Sequence, residues 1–221
     1  MDHTIETIET IRAKLFTSVL SDTLDGLGYR HQAMRPAIRP LDEEKVLVGR
    51  ARTGFYMEVF HIAPDENPYE LEIRLIDDLR PGEVAILGCG SSQTIAPWGE
   101  LLSTACIARG AVGCITDGLV RDIRAIRKLG FPVFHGGIGP LDSKGRGKVM
   151  AIDVPIACGG VQVAPGDLVF GDADGVICVP QAIEKTAIAA ALEKVEGEHR
   201  TREALARGEK LGTVFARYGI L

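Results

Sequence analysis

Residues 99–122, GELLSTACIARGAVGCITDGLVRD, determine the fold class predicted for this 221-residue chain. The first half predicts a one-sided helix that begins at Glu100 and is stopped by Gly110, because glycine commonly terminates helices. Residues 111–116 form a short apolar run that predicts a buried strand, and Asp117-Gly118 predicts a turn after it. This helix–strand alternation indicates an α/β protein. The helix is predicted from apolar residues at three- and four-residue spacing, namely Leu101, Leu102, Ala105 and Ala108.

Arg121 and Asp122 follow the predicted strand, at the edge of an α/β sheet where ligands usually bind. Glu100 would lie in the first turn of the preceding helix, so we expect two carboxylates beside one guanidinium. The free backbone N–H groups of Leu101 and Leu102 favour an anion. These groups predict a divalent cation bound together with an oxo-acid. The alternative is that they are ordinary helix-dipole residues, each stabilising by about 0.3–1 kcal/mol.

The composition excludes several classes of protein. Hydrophobic residues make up 46% of the chain and charged residues 25%, as in a globular protein of one large domain or a domain with an extension. The net charge of −5 argues against nucleic acid as a partner, because duplex binders carry basic stripes. The five cysteines stand singly in apolar segments and predict buried thiols in a reducing compartment. No export signal or membrane span is predicted, so we expect a cytoplasmic protein.

The segments on the N-terminal side predict further helices and strands. Residues 4–28 predict one amphipathic helix or a pair of helices, and residues 46–53 predict a strand. Asn67 is predicted to cap a helix that continues to residue 79, with a proline at its first position. Residues 84–87, after a Pro-Gly turn, predict another buried strand.

The glycine-rich loop from Gly88 to Ser92 matches neither Gly-x-Gly-x-x-Gly nor a P-loop, which argues against nucleotide binding. We expect instead that its backbone closely approaches a small ligand or the neighbouring helix. Residues 131–134 predict a strand, and His135 would begin a loop at its carboxyl end. There His135 would either face the site or be a packed or solvated side chain. We expect the wall around the distal half of a ligand to come from loops near His61, Gly88–Gln93 and His135.

Residues 147–180 predict several antiparallel strands that form a barrel or a second sheet. A long helix is predicted from about Gln181 to Ala206, with breaks at Gly208 and Gly212 before a final turn. Its first half is apolar and its second half is almost wholly charged. The second half is therefore either solvated or in contact with a neighbouring subunit.

Together these features resemble the ribonuclease-regulator-like (RraA-like) superfamily, specifically its metal-dependent 4-hydroxy-4-methyl-2-oxoglutarate / 4-carboxy-4-hydroxy-2-oxoadipate aldolase branch. The diagnostic motif is an acidic residue, twenty intervening residues and then Arg-Asp, which Glu100 and Arg121-Asp122 satisfy. The resemblance extends from about Leu15 to Leu221. Shorter matches are GELL, ITDGLVRD, PVF, GDADGV and the ending LGTVFARYGIL.

The resemblance implies a swivelling β/β/α core at residues 31–180, preceded by an N-terminal helical segment at residues 1–30. A C-terminal helical extension at residues 181–221 would pack on a neighbouring subunit. The implied assembly is a homotrimer or a pair of trimers, with each active site between subunits.

The resemblance also implies roles for individual residues. Asp122 would hold Mg²⁺ or Mn²⁺, and Glu100 would bind the metal through a water molecule. Arg121 would contact the substrate and act in catalysis. Position 100 carries Glu where the best-known aldolases carry Asp.

Substrate binding is implied for a second group of residues. Gly99 and the backbone amides of Leu101 and Leu102 would receive the substrate carboxylate. A catalytic glutamate from the neighbouring subunit's C-terminal helix would complete the pocket. Glu198 matches that glutamate best and Glu196 second.

The implied reaction is cleavage of a 4-hydroxy-2-oxo acid to pyruvate and a second carbonyl compound, with oxaloacetate decarboxylation as a side activity. Both reactions pass through a pyruvate enolate that a divalent metal stabilises. The first alternative is a non-catalytic RraA-like regulator of a ribonuclease, although the best-known regulator lacks both the Asp of Arg-Asp and the C-terminal extension. A demethylmenaquinone methyltransferase ranks last, because no glycine-rich nucleotide loop is present to hold a methyl donor.

Overall fold

The computed structural model describes residues 5–220, so the first four residues of the predicted N-terminal segment and Leu221 lie outside the described residues. The helices are α1 Ile5–Lys14, α2 Thr17–Gly26, α3 Glu70–Asp77, α4 Glu100–Ala108, α5 Ile123–Leu129, α6 Glu184–Ala206 and α7 Leu211–Tyr218. The strands are β1 Arg39–Pro40, β2 Leu47–Glu58, β3 Glu83–Gly88, β4 Gly113–Val120, β5 Val133–Ile138, β6 Gly147–Ile152, β7 Ile156–Cys158, β8 Val161–Val163, β9 Leu168–Asp172 and β10 Gly175–Val179.

A mixed sheet organises these elements in the order β1-β5-β4-β3-β2-β9-β10, with β6 also paired to β2. Strands β2 to β5 run parallel to one another, and the outer pairings are antiparallel. Ala33 bridges Ile177, and the Arg39 guanidinium donates to the carbonyl oxygen of Asp174 at 3.1 Å. The two ends of the sheet therefore approach each other and form a nearly closed barrel.

Helices cover the sheet in two groups. The pair α1 and α2 packs with α6 over β9 and β10, around Leu20, Leu24 and Phe170. The other group, α3, α4 and α5, packs around Leu75 and Trp98. The predicted α/β class, with N-terminal helices and a C-terminal helical extension, is thereby confirmed. The division at residues 31 and 181 into three segments stays a prediction.

The buried face of α4 differs from the predicted one. Leu101 is 77% exposed, whereas Ser103 and Cys106 are buried. Burial of Ser103 is possible because its hydroxyl accepts a hydrogen bond from the Trp98 indole at 2.9 Å and donates to the carbonyl oxygen of Gly99 at 3.1 Å. The apolar spacing thus predicted the helix and the inward position of Leu102 and Ala105 correctly, whereas Leu101 and Ala108 are exposed.

The turn predicted at Asp117-Gly118 is also wrong, since β4 continues through it to Val120. The Asp117 carboxylate is buried and accepts backbone N–H bonds from Cys89 at 2.6 Å and from Gly159 at 3.2 Å. These donors allow a charged residue to remain inside a strand. The pairing with β5 shifts register between Thr116 and Leu119, which accommodates the irregular segment.

His135 does not begin a loop as predicted. It lies within β5, opposite Arg39 of β1, and its side chain is 8% exposed. The strand extends beyond residue 134 because β4 continues beside it as far as Ile138. His135 is therefore a packed strand residue, which is the second of the two predicted alternatives.

The predicted start of α3 is wrong by a few residues. Asn67 accepts the backbone N–H of Tyr69 through its side-chain oxygen at 3.1 Å, and regular helix begins at Glu70. Asn67 therefore closes the turn before α3 rather than capping the helix itself.

The C-terminal region forms two helices instead of one helix and a turn. Gly208 separates them as predicted, but Gly212 lies inside α7. The charged half of α6 is also not uniformly solvated, since Thr201 and Ala204 are buried in the part of the helix near α7, where Val214 is buried too. Contact between this region and a neighbouring subunit stays a prediction.

Candidate active site

Arg121 and Asp122 lie between the end of β4 and the start of α5, as predicted. Asp122 has a left-handed backbone conformation with φ of 59°, which aspartate tolerates better than most residues. Its Oδ2 atom accepts the backbone N–H of Glu100 at 3.3 Å. The start of α4 and the start of α5 are thereby held together at one edge of the sheet.

Gly99 allows this close approach. A Cβ atom at position 99 would lie 2.7 Å from Oδ2 of Asp122 and 3.3 Å from Cγ of Arg121. The backbone of Gly99 is extended, with φ of −151°, so any residue could adopt it. Space rather than conformation therefore requires glycine here.

Arg121 stands between two carboxylates. Its Nε atom lies 3.8 Å from Oδ2 of Asp122, and its Nη1 atom lies 3.7 Å from Oδ1 of Asp142. The Arg121 side chain is 38% exposed. Its guanidinium is thus oriented by protein groups but remains open to a ligand.

These residues border a cavity of about 320 Å³. Five of the predicted site residues line it: Gly99, Leu101, Leu102, Arg121 and Asp122. Glu100 does not line this cavity but borders an adjoining depression, which Leu101 and Asp122 also border. The Glu100 carboxylate accepts a hydrogen bond from the Thr104 hydroxyl at 2.8 Å. The cavity lining consists of Tyr69, Glu72, Ile73, Ala96, Pro97, Trp98, Gly99, Leu101, Leu102, Arg121, Asp122, Asp142 and Ser143.

Among the unpredicted lining residues, three are titratable: Tyr69, Glu72 and Asp142. Glu72 precedes Leu75 and Ile76 by three and four residues, so the helical period of α3 already placed it on the buried face. Asp142 lies in an irregular loop, and no periodic pattern marks it.

Glu72 is 4% exposed in the cavity wall. Burial raises its pKa to about 7, and the charge of Asp142 acts in the same direction, while the Tyr56 hydroxyl and the charge of Arg121 oppose the shift. Near neutral pH this carboxyl group is therefore divided between its neutral and charged forms.

Asp142 behaves in the opposite way. Burial alone would raise its pKa, but hydrogen bonds from the Tyr69 hydroxyl and from backbone N–H groups, together with the Arg121 charge, keep the pKa below its ordinary value. The Tyr69 hydroxyl donates to Oδ2 of Asp142 at 2.9 Å. Burial and this bond raise the pKa of Tyr69 to about 12, so it remains a donor.

The predicted distal wall is wrong. Neither His61, nor the loop from Gly88 to Gln93, nor His135 borders the cavity, and α3 and the loop at Asp142 take their place. The glycine-rich loop instead supplies N–H donors to Asp117. Burial, and then the charge of Arg127, lower the pKa of His135, and the residue lies away from the cavity.

The predicted glutamates of the C-terminal helix do not border the cavity of their own chain. The Glu198 side chain is 20% exposed and lies 3.8 Å from the guanidinium of Arg202. Glu196 is exposed. Whether either completes the site of a second copy stays a prediction.

The donor set suits a hard divalent cation. Within residues 5–220 no three His, Cys, Asp or Glu side chains converge as a metal cage. Mg²⁺, however, often binds proteins through one or two carboxylates and fills its remaining positions with water and substrate oxygens. The Asp122 side chain is 49% exposed, and the space beside its Oδ2 is kept free by Gly99. Asp122 is therefore the residue that fits such an ion.

Comparison with known proteins places the chain in a family. The profile of the RraA-like family, described as Aldolase/RraA, matches residues 17–178. The chain belongs to the RraA-like family.

Similar proteins support this placement. Over 189 residues, 86% of this chain and 84% of the relative, it is 34% identical to a protein of Halalkalibacterium halodurans named "Putative 4-hydroxy-4-methyl-2-oxoglutarate aldolase". An uncharacterised protein from Pseudomonas syringae superposes with a TM-score of 0.82, at 26% identity over 97% of this chain and 99% of that one. Streptomyces coelicolor RraAS2 is described as an unusual member of the RNase ES inhibitor RraA protein family. It superposes with a TM-score of 0.80, at 26% identity over 91% of this chain and 98% of that one.

The helices and the cysteines of this RraA-like chain can also be compared with the sequence predictions. In the described part of the chain, none of the helices has the length and apolar character to cross a bilayer. All five cysteines are buried free thiols, as predicted, and burial raises the pKa of Cys106 to about 12.

Proposed function

We propose that this chain is a divalent-metal-dependent aldolase that cleaves a 4-hydroxy-2-oxo acid to pyruvate and a second carbonyl compound. Oxaloacetate decarboxylation is the proposed side activity. The observation that carries the proposal is the position of Arg121 between Asp122 and Asp142, on a cavity that also borders the first turn of α4. The name of the relative from Halalkalibacterium halodurans supports the same reaction class.

The chain's own groups account for binding of the 2-oxo acid. Its carboxylate is received by the backbone N–H groups of Leu101 and Leu102, which have no partner within α4 because they lie in its first turn. Arg121 lies beside the 2-oxo group and stabilises the negative charge that develops on the keto oxygen as the C3–C4 bond breaks. Asp122 and Asp142 hold the guanidinium in that position.

Asp122 is the proposed ligand of Mg²⁺ or Mn²⁺, with Glu100 linked through water. When bound, such an ion supplies Lewis-acid stabilisation of the same negative charge. The 4-hydroxyl proton has to leave as the new carbonyl forms, and we assign this role of general base to Glu198 from a second copy of the chain.

Exchange of the C3 protons of pyruvate with deuterated water tests the proposal, because it requires enolate formation without any distal substituent. We expect exchange with Mg²⁺, loss of exchange on chelation, and a decrease of at least about a thousandfold in Asp122→Ala. Arg121→Lys should lose about a hundredfold, since lysine lacks the fork of donors. Asp25→Asn, an exposed change on α2, is the control. Exchange that survives both chelation and Asp122→Ala would refute the metal mechanism.

The likeness to RraAS2 supports one alternative, a non-catalytic regulator that binds a ribonuclease. Affinity measurements with a purified RNase E-type enzyme, beside the exchange assay, separate the two functions. Tight ribonuclease binding without pyruvate exchange would favour the regulator.

A further inference from the structure

The far wall of the cavity is acidic and hydroxylic. It consists of Glu72 from α3, of Tyr69 just before that helix, and of Asp142 and Ser143 from the loop before β6. Glu72 and Ser143 are buried, at 4% and 3% exposure, so these polar groups belong to the wall rather than to the surrounding surface. A ligand whose carboxylate lies at Leu101 and Leu102 would direct its other end towards them.

The same wall lacks positive charge. Arg121 is the only cationic residue among the described residues that border the cavity. Its charge is already shared between Asp122 and Asp142. Lys144 and Arg146 follow in sequence but are exposed and do not border the cavity, and Arg146 donates to the backbone carbonyl oxygen of Asp142 at 3.2 Å.

We infer that the substrate carries one carboxylate and an uncharged, hydroxyl-bearing tail, and that Asp142 and Glu72 accept hydrogen bonds from that tail. The inference rests on the proposed function and specifies the substrate class of the same cavity. A dicarboxylic 4-hydroxy-2-oxo acid would bring its second carboxylate next to Asp142, where the one cation bordering the cavity, Arg121, is already shared by two carboxylates. A hydroxyl group donates to the same carboxylate and is favoured there.

Asp142 and Glu72 would bind the substrate tail in different ways. Asp142 is held as an anion by Tyr69 and backbone donors and acts only as an acceptor. Glu72, whose pKa lies near 7, can accept a hydrogen bond when charged and donate one when neutral. Adjacent hydroxyl and carbonyl oxygens on a substrate tail could therefore both be bound.

The test compares two substrates that differ only at C5. One is 4,5-dihydroxy-2-oxopentanoate, which ends in a hydroxymethyl group, and the other is 4-hydroxy-2-oxopentanedioate, which ends in a carboxylate. We expect kcat/KM for pyruvate release to be at least tenfold higher with the dihydroxy acid. Calorimetric binding of 2-oxopentanoate and 2-oxopentanedioate to the full chain gives a second readout, with tighter binding of the monocarboxylate expected.

Variants assign the selectivity to the wall. Asp142→Asn retains a partner for Tyr69 but removes the charge, so it should raise the relative kcat/KM for the dicarboxylate by about tenfold. Glu72→Gln should shift it in the same direction by a smaller factor, more strongly at pH 8 than at pH 6. The control Asp25→Asn should leave the ratio unchanged.

Each outcome decides one of the two proposals. Equal or better use of the dicarboxylate, together with equal or tighter binding of 2-oxopentanedioate, would overturn the inference while pyruvate exchange upheld the aldolase proposal. Absence of exchange and of pyruvate release from both acids would refute the aldolase proposal. The binding comparison would still decide the substrate class in that case.

Discussion

Gly99 is the position where a single methyl group would disturb the candidate site most directly. An alanine Cβ would lie 2.7 Å from Oδ2 of Asp122 and 3.3 Å from Cγ of Arg121. Because both obstacles are side chains, they can move and the fold should survive. We expect Gly99→Ala to weaken Mn²⁺ binding by at least about tenfold while changing the free energy of unfolding by less than about 1 kcal/mol. Calorimetric titration and urea unfolding measure these quantities.

Gly212→Ala is the matched control for Gly99→Ala, because nothing lies within 4 Å of a Cβ atom at position 212. It should leave Mn²⁺ affinity unchanged. If Gly99→Ala also bound Mn²⁺ normally, the proposed position of the ion beside Asp122 would be wrong.

Glu72 links the cavity to stability through its protonation. Its pKa is about 7 in the folded protein against an ordinary 4.5, so the fold favours the neutral form. The stabilisation from this group is complete below pH 4.5 and is lost as pH rises through 7, a difference of about 3 kcal/mol. Glu72→Gln cannot ionise, so at pH 8.5 it should be more stable than the unchanged protein by about 2–3 kcal/mol, with a difference below about 1 kcal/mol at pH 5.

Denaturant unfolding at the two pH values, with chelator present, measures this effect of Glu72→Gln. The control is Glu70→Gln, an exposed change on the same helix. Equal stability differences at pH 5 and pH 8.5 would mean that Glu72 does not titrate as described.

The residues of the candidate site differ in how far sequence could identify them. Arg121 and Asp122 were predictable because they follow a buried strand, and because the family resemblance supplies their spacing from Glu100. Glu72 was predictable in principle from the period of α3. Asp142 was not predictable from sequence. It lies 3.7 Å from Arg121 only because the loop between β5 and β6 folds back towards the end of β4.

At the level of elements, Asp117 fixes the glycine-rich loop to the sheet. One carboxylate oxygen accepts the N–H of Cys89 at 2.6 Å, and the other accepts N–H groups from Ser91 at 3.1 Å and Gly159 at 3.2 Å. In Asp117→Asn the amide NH₂ would face N–H donors in either orientation. We expect a loss of about 3 kcal/mol in the free energy of unfolding, measured by urea titration.

Asp65→Asn, an exposed change in the loop before α3, should cost less than about 0.5 kcal/mol and serves as the control. A cost for Asp117→Asn as small as that of the control would show that the buried carboxylate does not hold the loop.

Asp117 also shows why one element boundary could not be predicted. Asp-Gly is a common turn signal, but here the donors that keep the pair inside β4 come from residues 26 to 42 positions away in sequence. Ser103 on α4 is a similar case, since its burial depends on the indole of Trp98. Local patterns located both elements, and tertiary hydrogen bonds decided their details.

At the scale of the whole molecule, the proposed site is incomplete within one chain. Its cavity is bordered by Leu101, which is 77% exposed, while the predicted base Glu198 does not border it. A second copy that supplies Glu198 would cover part of that exposed surface. The proposed trimer therefore makes a prediction about catalysis between subunits.

Mixing two inactive variants tests this arrangement. If the site combines Asp122 of one chain with Glu198 of the next, random exchange of Asp122→Ala and Glu198→Ala subunits should restore about a quarter of the unchanged activity. At each site, an intact Asp122 and an intact Glu198 are each present with a probability of about one half. Asp122→Ala mixed with Arg121→Ala should stay inactive, since both residues belong to the same chain's half of the site. Pyruvate release after subunit exchange measures the recovery. No recovery in the mixture of two inactive variants would contradict the shared site. Full activity in Glu198→Ala alone, with loss of activity in Glu196→Ala, would instead transfer the role to Glu196.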